Sequence, residues 1–458
     1  MNGFFIAVAI GFLFVSALWI LRIFRTVLWL RLNVSENISS ANGNNGVRFF
    51  VLIPVLDEID ILENTIKYFS SILQSFDGSK VIIVTTEEEY NLNYKGSGRD
   101  TVAMSKLLEK KYDNIICVHY PYTGGKMAHQ VNYAVNFIRG SFQLKAGDYF
   151  ALYNADSRPD SRTFYWVWRV VRSVRMGENP PQVFQQYGNY LGNYPIISRI
   201  SNFLRKSILL SASLWQNRWS IGFEIPHSLD QFKERNARPS LFAPMNYCIG
   251  HGLFFSQRIY KEVGGFSEDM HNEDAIFGLQ LNYYGYVIEP IPFFDVSYSP
   301  DSIKSLFFQK ASWFFGPLQA FDYYFQITKN DPSVKRDRLL IFSLKLFSHA
   351  IYWIVGPSFL LFLFLCTAIS GSTATWASFF LVYVCFLVVP NFLSWIIFRG
   401  KDATGTLVIF VYLLSGSFFF YMLHGLSGWL STFRYFGFVV FNYPIRKSKT
   451  LILHEHSN

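Results

Sequence analysis

Residues 3–21 carry no charged side chain, and a helix built from them is long enough to cross the hydrocarbon core of a bilayer. Arg22, Arg25 and Arg31 follow it, no basic stretch precedes it, and no small-residue cleavage site is evident. The segment therefore reads as a retained anchor and not a signal peptide, and the arginines place the next part of the chain in the cytoplasm. Three further apolar stretches lie near 346–369, 376–398 and 407–430. With 51% hydrophobic and 19% aromatic residues, the 458-residue chain is too apolar for one ordinary soluble domain. Residues 48–335 are mixed in polarity and numerous enough to bury their own core.

The expected organisation is an anchor over 1–32, a cytoplasmic domain over 48–335, transmembrane or interfacial helices over 341–441, and a basic tail over 442–458. A Ser-, Asn- and Gly-rich linker covers 35–47. Three spans after one anchor put Arg446, Lys447 and Lys449 on the side away from the cytoplasm, against the positive-inside rule. A re-entrant or interfacial segment within 407–441 would remove the conflict.

The net charge of +9 favours anionic lipid and phosphate-bearing substrates. No basic run is interleaved with stacking aromatics, so nucleic acid is not an expected partner. The four cysteines form no CxxC and no Cys/His spacing, which argues against zinc and against a disulfide framework.

Within 48–335, apolar runs alternate with helical periodicity. Arg48–Pro54, Lys80–Thr85, Asn114–Val118 and Tyr149–Tyr153 read as strands, with helical segments between them, and this predicts a mostly parallel α/β sheet. Polar residues gather at the carboxyl ends: Asp57 and Glu58, Thr86 to Glu89, and Asn154 with Asp156. Open α/β sheets bind ligands at that rim. Asp156 beside Asn154 suits a hard divalent cation shared with a substrate phosphate, while the same aspartate before Ser157-Arg158-Pro159 also suits a helix cap. Gly124-Gly125-Lys126 opens a helix, where backbone amides and an ammonium can meet a phosphate, although the spacing is not that of a Walker A loop.

The order Ile53-Pro54, Asp57-Glu58, Gly125-Lys126 with Asn132, and Asn154-Ala155-Asp156 with Pro159-Asp160 resembles the nucleotide-sugar half of family 2 glycosyltransferases of the GT-A fold. Gly250-His251-Gly252, Gly264-Gly265-Phe266, His271-Asn272-Glu273-Asp274 and Gly285-Tyr286 follow that family's order in the acceptor half. Gln309-Lys310-Ala311-Ser312-Trp313 resembles the QxxRW signature of its membrane-bound members, among them chitin-oligosaccharide, hyaluronan and cellulose synthases. The likeness covers about residues 48–320.

The resemblance implies a Rossmann-like GT-A nucleotide-sugar domain plus an α-helical transmembrane region, and inverting transfer from a nucleotide diphospho-sugar. Asp156 would hold Mg²⁺ or Mn²⁺, and Asn154 stands where the family usually has Asp. Asp274 is the expected general base, with Glu273 the competing assignment or an acceptor-orienting group. Both also fit an acidic helix start. Pro54, Glu58 and Glu87 would recognise base and ribose, and Lys126 would lie near the diphosphate. His251, Gln309 and Trp313 would contact the acceptor, the last two sharing one helix face. Ser312 replaces the family's diphosphate-binding arginine. The stretch 185–245, with Phe203, Arg205, Trp215, Arg218 and Trp219, is expected as a helix on the membrane surface or as a helical subdomain.

The expected partners are a nucleotide sugar, probed first as UDP, a glycan or lipid-linked acceptor, and membrane lipids. The expected product is a polysaccharide or glycolipid made at a bacterial inner or plasma membrane. Transfer to polyprenyl phosphate and a non-catalytic scaffold are the alternatives.

Overall fold

A computed structural model describes residues 2–34, 46–91, 97–173, 180–233, 244–399, 405–441 and 443. Most of the expected linker, and the tail with Arg446, Lys447 and Lys449, lie outside the described residues.

In chain order the first elements are α1 (Asn2–Val34), β1 (Arg48–Pro54), α2 (Ile59–Leu73), β2 (Lys80–Thr86), α3 (Glu88–Asn91), α4 (Ser97–Lys111) and β3 (Ile115–Tyr120). Next come α5 (Met127–Ser141), β4 (Asp148–Leu152), β5 (Arg158–Pro159), α6 (Arg162–Arg172), β6 (Val183–Asn189), α7 (Tyr194–Ser198), α8 (Phe203–Trp219) and α9 (Ile225–Lys233). They are followed by β7 (Leu253–Ser256), α10 (Gln257–Val263), α11 (Glu273–Tyr284), β8 (Glu289–Val296), α12 (Ile303–Leu318) and α13 (Ala320–Asn330). The last four are α14 (Arg336–Ser370), α15 (Thr373–Tyr383), α16 (Val389–Arg399) and α17 (Thr406–Phe441), with π-helical turns at Ser220–Glu224 and Val384–Val388.

The chain forms two compact units. One comprises residues 32–187 and 227–296, and the other 1–31, 188–226 and 297–458. Residues 188–226 and 297–335 thus group with the apolar helices, where the sequence placed them with the sheet.

The first unit is built on an eight-stranded sheet of order β3-β2-β1-β4-β7-β6-β8-β5. β1 pairs in parallel with β2 and β4, and β2 with β3. β7 runs antiparallel to both β4 and β6, and β5 antiparallel to β8, so the Rossmann-like sheet is mixed. Residues Phe49 to Ile53 are all fully buried, as expected of a strand covered on both faces. Side-chain alternation divides them. Phe49, Val51 and Ile53 pack with Leu62, Ile66 and Phe69 of α2 and Phe164 of α6, whereas Phe50 and Leu52 pack with Ala134, Val135 and Ile138 of α5.

Among the described residues four helices are long and apolar enough to cross a membrane: 7–34, 336–370, 373–399 and 406–441. The expected spans fall inside the last three. At about 1.5 Å per residue, α17 is about 54 Å long, well beyond the ~30 Å hydrocarbon core. It is uninterrupted, so 407–441 contains no re-entrant break. α8 is no surface helix: Ser207 to Leu214 are buried, and a Cβ on Gly416 of α17 would stand 2.2 Å from the carbonyl oxygen of Ser207. Only glycine permits that approach of two backbones.

At the amino end of the sheet, Asp148 accepts Nε and Nη2 of Arg48 at 2.8 and 2.6 Å and the amide of Lys145 at 2.6 Å. These hydrogen bonds hold the guanidinium above its ordinary pKa. Asp148→Ala leaves a partly buried guanidinium without its carboxylate, with only the Gln143 carbonyl at 2.8 Å still accepting from it, and is expected to lower the unfolding free energy of the full chain by about 3 kcal/mol. Denaturant unfolding in detergent checks this, and a loss below about 1 kcal/mol would mean that solvent screens the pair.

Candidate functional site

The parallel pairing brings the carboxyl ends of β1, β2, β3 and β4 to one edge. Leu253 of β7 stands opposite Leu152, so antiparallel pairing delivers the turn before β7 to the same edge. Residues from both halves of the sequence pattern therefore meet on one rim.

Beyond Pro54, Asp57 adopts φ +55°, a left-handed conformation uncommon for a non-glycine residue. Its amide donates to both carboxylate oxygens of Glu89, at 2.9 and 3.1 Å, and Glu89 is buried. Glu58 is the residue that opens α2, its carbonyl accepting the amide of Leu62 at 3.0 Å. Glu87 meets Nε2 of His119 at 3.1 Å, and Nδ1 of that ring lies 2.9 Å from Oγ1 of Thr85. Glu87 is thus part of a three-residue chain across the ends of β2 and β3.

The Gly124-Gly125 turn is tied to the same region, since the amide of Gly124 donates to Glu88 Oε2 at 3.0 Å. A Cβ on Gly125 would lie 2.5 Å from the Tyr120 ring. Lys126 opens α5, its amide donating to Nδ1 of His129 at 3.2 Å and its ammonium lying 3.3 and 3.5 Å from the carbonyls of Asp269 and Glu268. Asn132 is a clamp: Nδ2 donates to the Phe266 carbonyl and to Glu268 at 2.8 and 2.9 Å, while Oδ1 accepts the Phe266 amide at 3.0 Å.

Asn154 and Asp156 occupy a turn closed by the Ser157 amide on the Asn154 carbonyl at 3.1 Å. Both side chains are half-buried. The helix-start role considered for Asp156 falls to Asp160, whose Oδ1 accepts the Arg162 amide at 2.9 Å and whose carboxylate pairs with the Arg162 guanidinium at 2.6 Å. Among the described residues no group of three or more His, Cys, Asp or Glu is arranged to hold a metal ion. Asp156 and Asn154 supply one carboxylate and one neutral oxygen, which fits a cation completed by substrate phosphates and not a preformed cage.

Gly250-His251-Gly252 makes the opposing turn. Gln185 brackets it, donating to the His251 carbonyl at 2.8 Å and accepting the Ile249 amide at 3.1 Å. Gly252 has φ +65°, and a Cβ there would stand 2.9 Å from the Gln186 carbonyl oxygen. Asp274, in the first turn of α11, accepts the Ala275 amide through Oδ1 at 2.8 Å. A Cβ built on Gly250 would lie 3.2 Å from Asp274 Oδ2 and 3.9 Å from Met127 Cε, so this carboxylate reaches the turn before β7 beside the start of α5. Its neighbour Glu273 is 4% exposed, whereas Asp274 is only half-buried. Solvent reaches the second carboxylate and hardly the first.

Gln309 and Trp313 belong to the other unit, on α12, and both are half-buried. Between them Lys310 is buried, its ammonium 4.1 Å from the Trp313 ring centroid and 2.8 Å from Gln216 Oε1. Burial draws this lysine down to about 7. One face of Trp313 is therefore already covered by the Lys310 amine.

Sequence reasoning assigned no role to Glu89, Gln185 or Asp295. Each left one sign: a third acid after β2, a Gln185-Gln186 pair inside an apolar strand, and a carboxylate ending the run Phe293-Phe294.

A family model described as "Glycosyl transferase family group 2" matches residues 227–398. No curated protein matches the chain. Among solved structures, the chain is similar to the mannosyltransferase PcManGT from Pyrobaculum calidifontis in complex with GDP-Man and Mn²⁺, at 13% identity and a TM-score of 0.46, over 90% of this chain and 96% of that one. It is also similar to S. aureus TarS in complex with UDP-GlcNAc, at 10% identity and a TM-score of 0.36, over 83% of this chain and 91% of that one.

Gly252→Ala tests the geometry of the turn. Its Cβ meets backbone, which cannot swing aside, at a φ that disfavours any side chain. We expect a loss of about 3 kcal/mol in thermal or denaturant unfolding, whereas Gly250→Ala, which meets only side-chain atoms, costs less.

Proposed function

We propose that the protein is a membrane-associated glycosyltransferase that moves a sugar, with inversion, from a nucleotide diphospho-sugar to a hydroxyl of a glycan or lipid-linked acceptor. One observation carries this reading: Asp274 stands at the turn before β7 and beside the start of α5, where an acid from the second half of the chain joins the phosphate-type turn of the first half. The family match over 227–398 includes His251, Glu273, Asp274, Gln309 and Trp313.

In this reading the carboxylate of Asp274 takes the proton of the acceptor hydroxyl. The hydroxyl oxygen bonds to the anomeric carbon from one face while the bond to the diphosphate oxygen breaks on the other, and the nucleoside diphosphate leaves with the electron pair. Asp156 and Asn154 would hold Mg²⁺ or Mn²⁺, which when bound supplies Lewis-acid screening of the leaving diphosphate. The amides at the start of α5 and the Lys126 ammonium favour the same negative charge. Pro54, Glu58 and Glu87 would face the nucleoside, with Glu87 acting together with His119 and Thr85. Gln309 and Trp313 keep the acceptor-binding role that the resemblance implies for them.

Metal binding in this site depends on the donor, because one carboxylate and one amide make a weak cation site by themselves. Mn²⁺ alone is expected to leave the melting temperature of the detergent-purified protein unchanged. UDP with Mn²⁺ is expected to raise its stability, by about 2.7 kcal/mol at a hundredfold excess over Kd, and Asp156→Ala to abolish the response. Absence of a response to UDP, GDP or any other nucleoside diphosphate would sink the reading.

Asp274→Asn separates chemistry from binding. Turnover is expected to fall by at least about a hundredfold, the usual weight of a general base, with nucleotide-dependent stabilisation retained. Strong residual transfer would move the base to another residue.

A further inference from the structure

Asp295 ends an apolar run in β8, and its side chain is 1% exposed. A carboxylate so deep must be met by protein groups, since burial of an unsatisfied charge is strongly unfavourable. Two groups meet it from different segments. Oδ1 accepts the backbone amide of Arg158 at 2.7 Å, and Oδ2 lies 3.0 Å from Nδ1 of His251. The second approach is a close polar contact and not an aligned hydrogen bond, and both of its atoms are shut off from solvent.

The two partners come from the two sides of the rim. Arg158 directly follows the turn that carries Asn154 and Asp156, and the pairing of Pro159 with Asp295 draws that turn onto β8. His251 sits in the Gly250–Gly252 turn, whose first glycine faces Asp274. We infer that Asp295 is a positioning residue that registers the turn bearing Asp156 against the turn bearing His251, and that it thereby sets the ring of His251 for a sugar hydroxyl of the acceptor. The inference deepens the transferase reading above and rests on it for what the two turns hold.

A negative charge at Nδ1 favours a proton on that nitrogen, which fixes the tautomer and the orientation of the ring. Gln185 holds the backbone on both sides of the histidine, so backbone and ring are secured by different residues. The phenols of Tyr153 and Tyr68 stay neutral beside Asp295: burial first, and then nearby carboxylates including Asp295, push both up. No second anion competes for the ring from those two side chains.

The test uses the full-length protein in detergent with Asp295→Asn, His251→Ala and the double variant. Asparagine keeps an oxygen for the Arg158 amide, so a near-native melting temperature is expected. Asp295→Asn should lower kcat by about tenfold or more while the apparent affinity for UDP with Mn²⁺ changes less than about twofold. The double variant should be no slower than His251→Ala, because the two residues act as one. A readout independent of turnover is the rate at which diethyl pyrocarbonate modifies His251, followed by mass spectrometry with His119 as the internal control. That rate should rise several-fold in Asp295→Asn. Additive losses in the double variant, or an unchanged modification rate at His251, overturn the inference. If the wild type binds no nucleotide, the transferase reading fails, and the modification rate still decides whether Asp295 holds His251.

Discussion

The parallel pairing of β1 with both β2 and β4 is the constraint on which the rest of the sheet unit depends. Because parallel strands share a direction, every polar residue that ends an apolar run emerges on one edge. Asp57, Glu87 and Asp156 lie far apart in sequence, yet the pairing gives them one rim. Crossover helices are then obligatory, and α2 and α5 cover opposite faces of β1. The start of α5 must stand at the carboxyl edge because α5 follows β3. A turn of small residues before it is therefore a turn at the rim.

Antiparallel β7 adds what parallel strands cannot. It enters at the carboxyl end of β4, so the turn preceding it faces the turn following β4. Glycines permit the close passage here: Gly252 lies against the Gln186 backbone, and Gly265 brings its turn onto Asn132. Polar side chains then hold the register over long sequence distances. Asn132 joins α5 to the turn at Phe266, Gln185 grips the turn at His251, and Asp295 joins that turn to Arg158. The rim is a set of turns, and these side chains, Gln185 and Asp295 buried and Asn132 half-buried, keep the turns from moving independently.

This explains what could be read from the chain alone. β1, β2 and β4 are legible because strands buried on both faces appear as continuous apolar runs. β6 hides behind Gln185 and Gln186, and β8 behind Pro290 and Pro292, residues that argue against a strand interior. A mostly parallel sheet was expected for that reason, whereas β5 and β7 make it mixed. Asp156, Asp274 and Lys126 stood out by position, but Glu273 and Asp274 are adjacent acids that only burial distinguishes. The partners of Asp295 lie 44 and 137 residues away, and a single sequence carries no sign of such a pairing. Likewise a helix within 185–245 was legible, but not that its backbone at Ser207 meets Gly416.

The apolar unit solves a different problem, that of holding cations where carboxylates are scarce. Arg218 of α8 is buried, and its guanidinium lies 4.5 Å from the ring centroids of both Trp19 and Trp215 and 5.2 Å from that of Phe386. Nη1 donates to the Phe386 carbonyl at 2.7 Å, within the π-helical turn Val384–Val388. A π-turn shifts the backbone hydrogen-bond register, so that a carbonyl becomes available to a side chain. Burial lowers this guanidinium to about 9, still high enough for it to stay protonated at neutral pH. Stabilisation by ring faces is worth about 2 kcal/mol or more when the cation is desolvated, and several rings share the task here. Lys310 over Trp313 repeats the arrangement with a weaker result, because an ammonium surrenders its proton more readily than a guanidinium. Ring faces thus meet both basic side chains inside this unit, and at Lys310 the charge of the buried Glu224 acts alongside them.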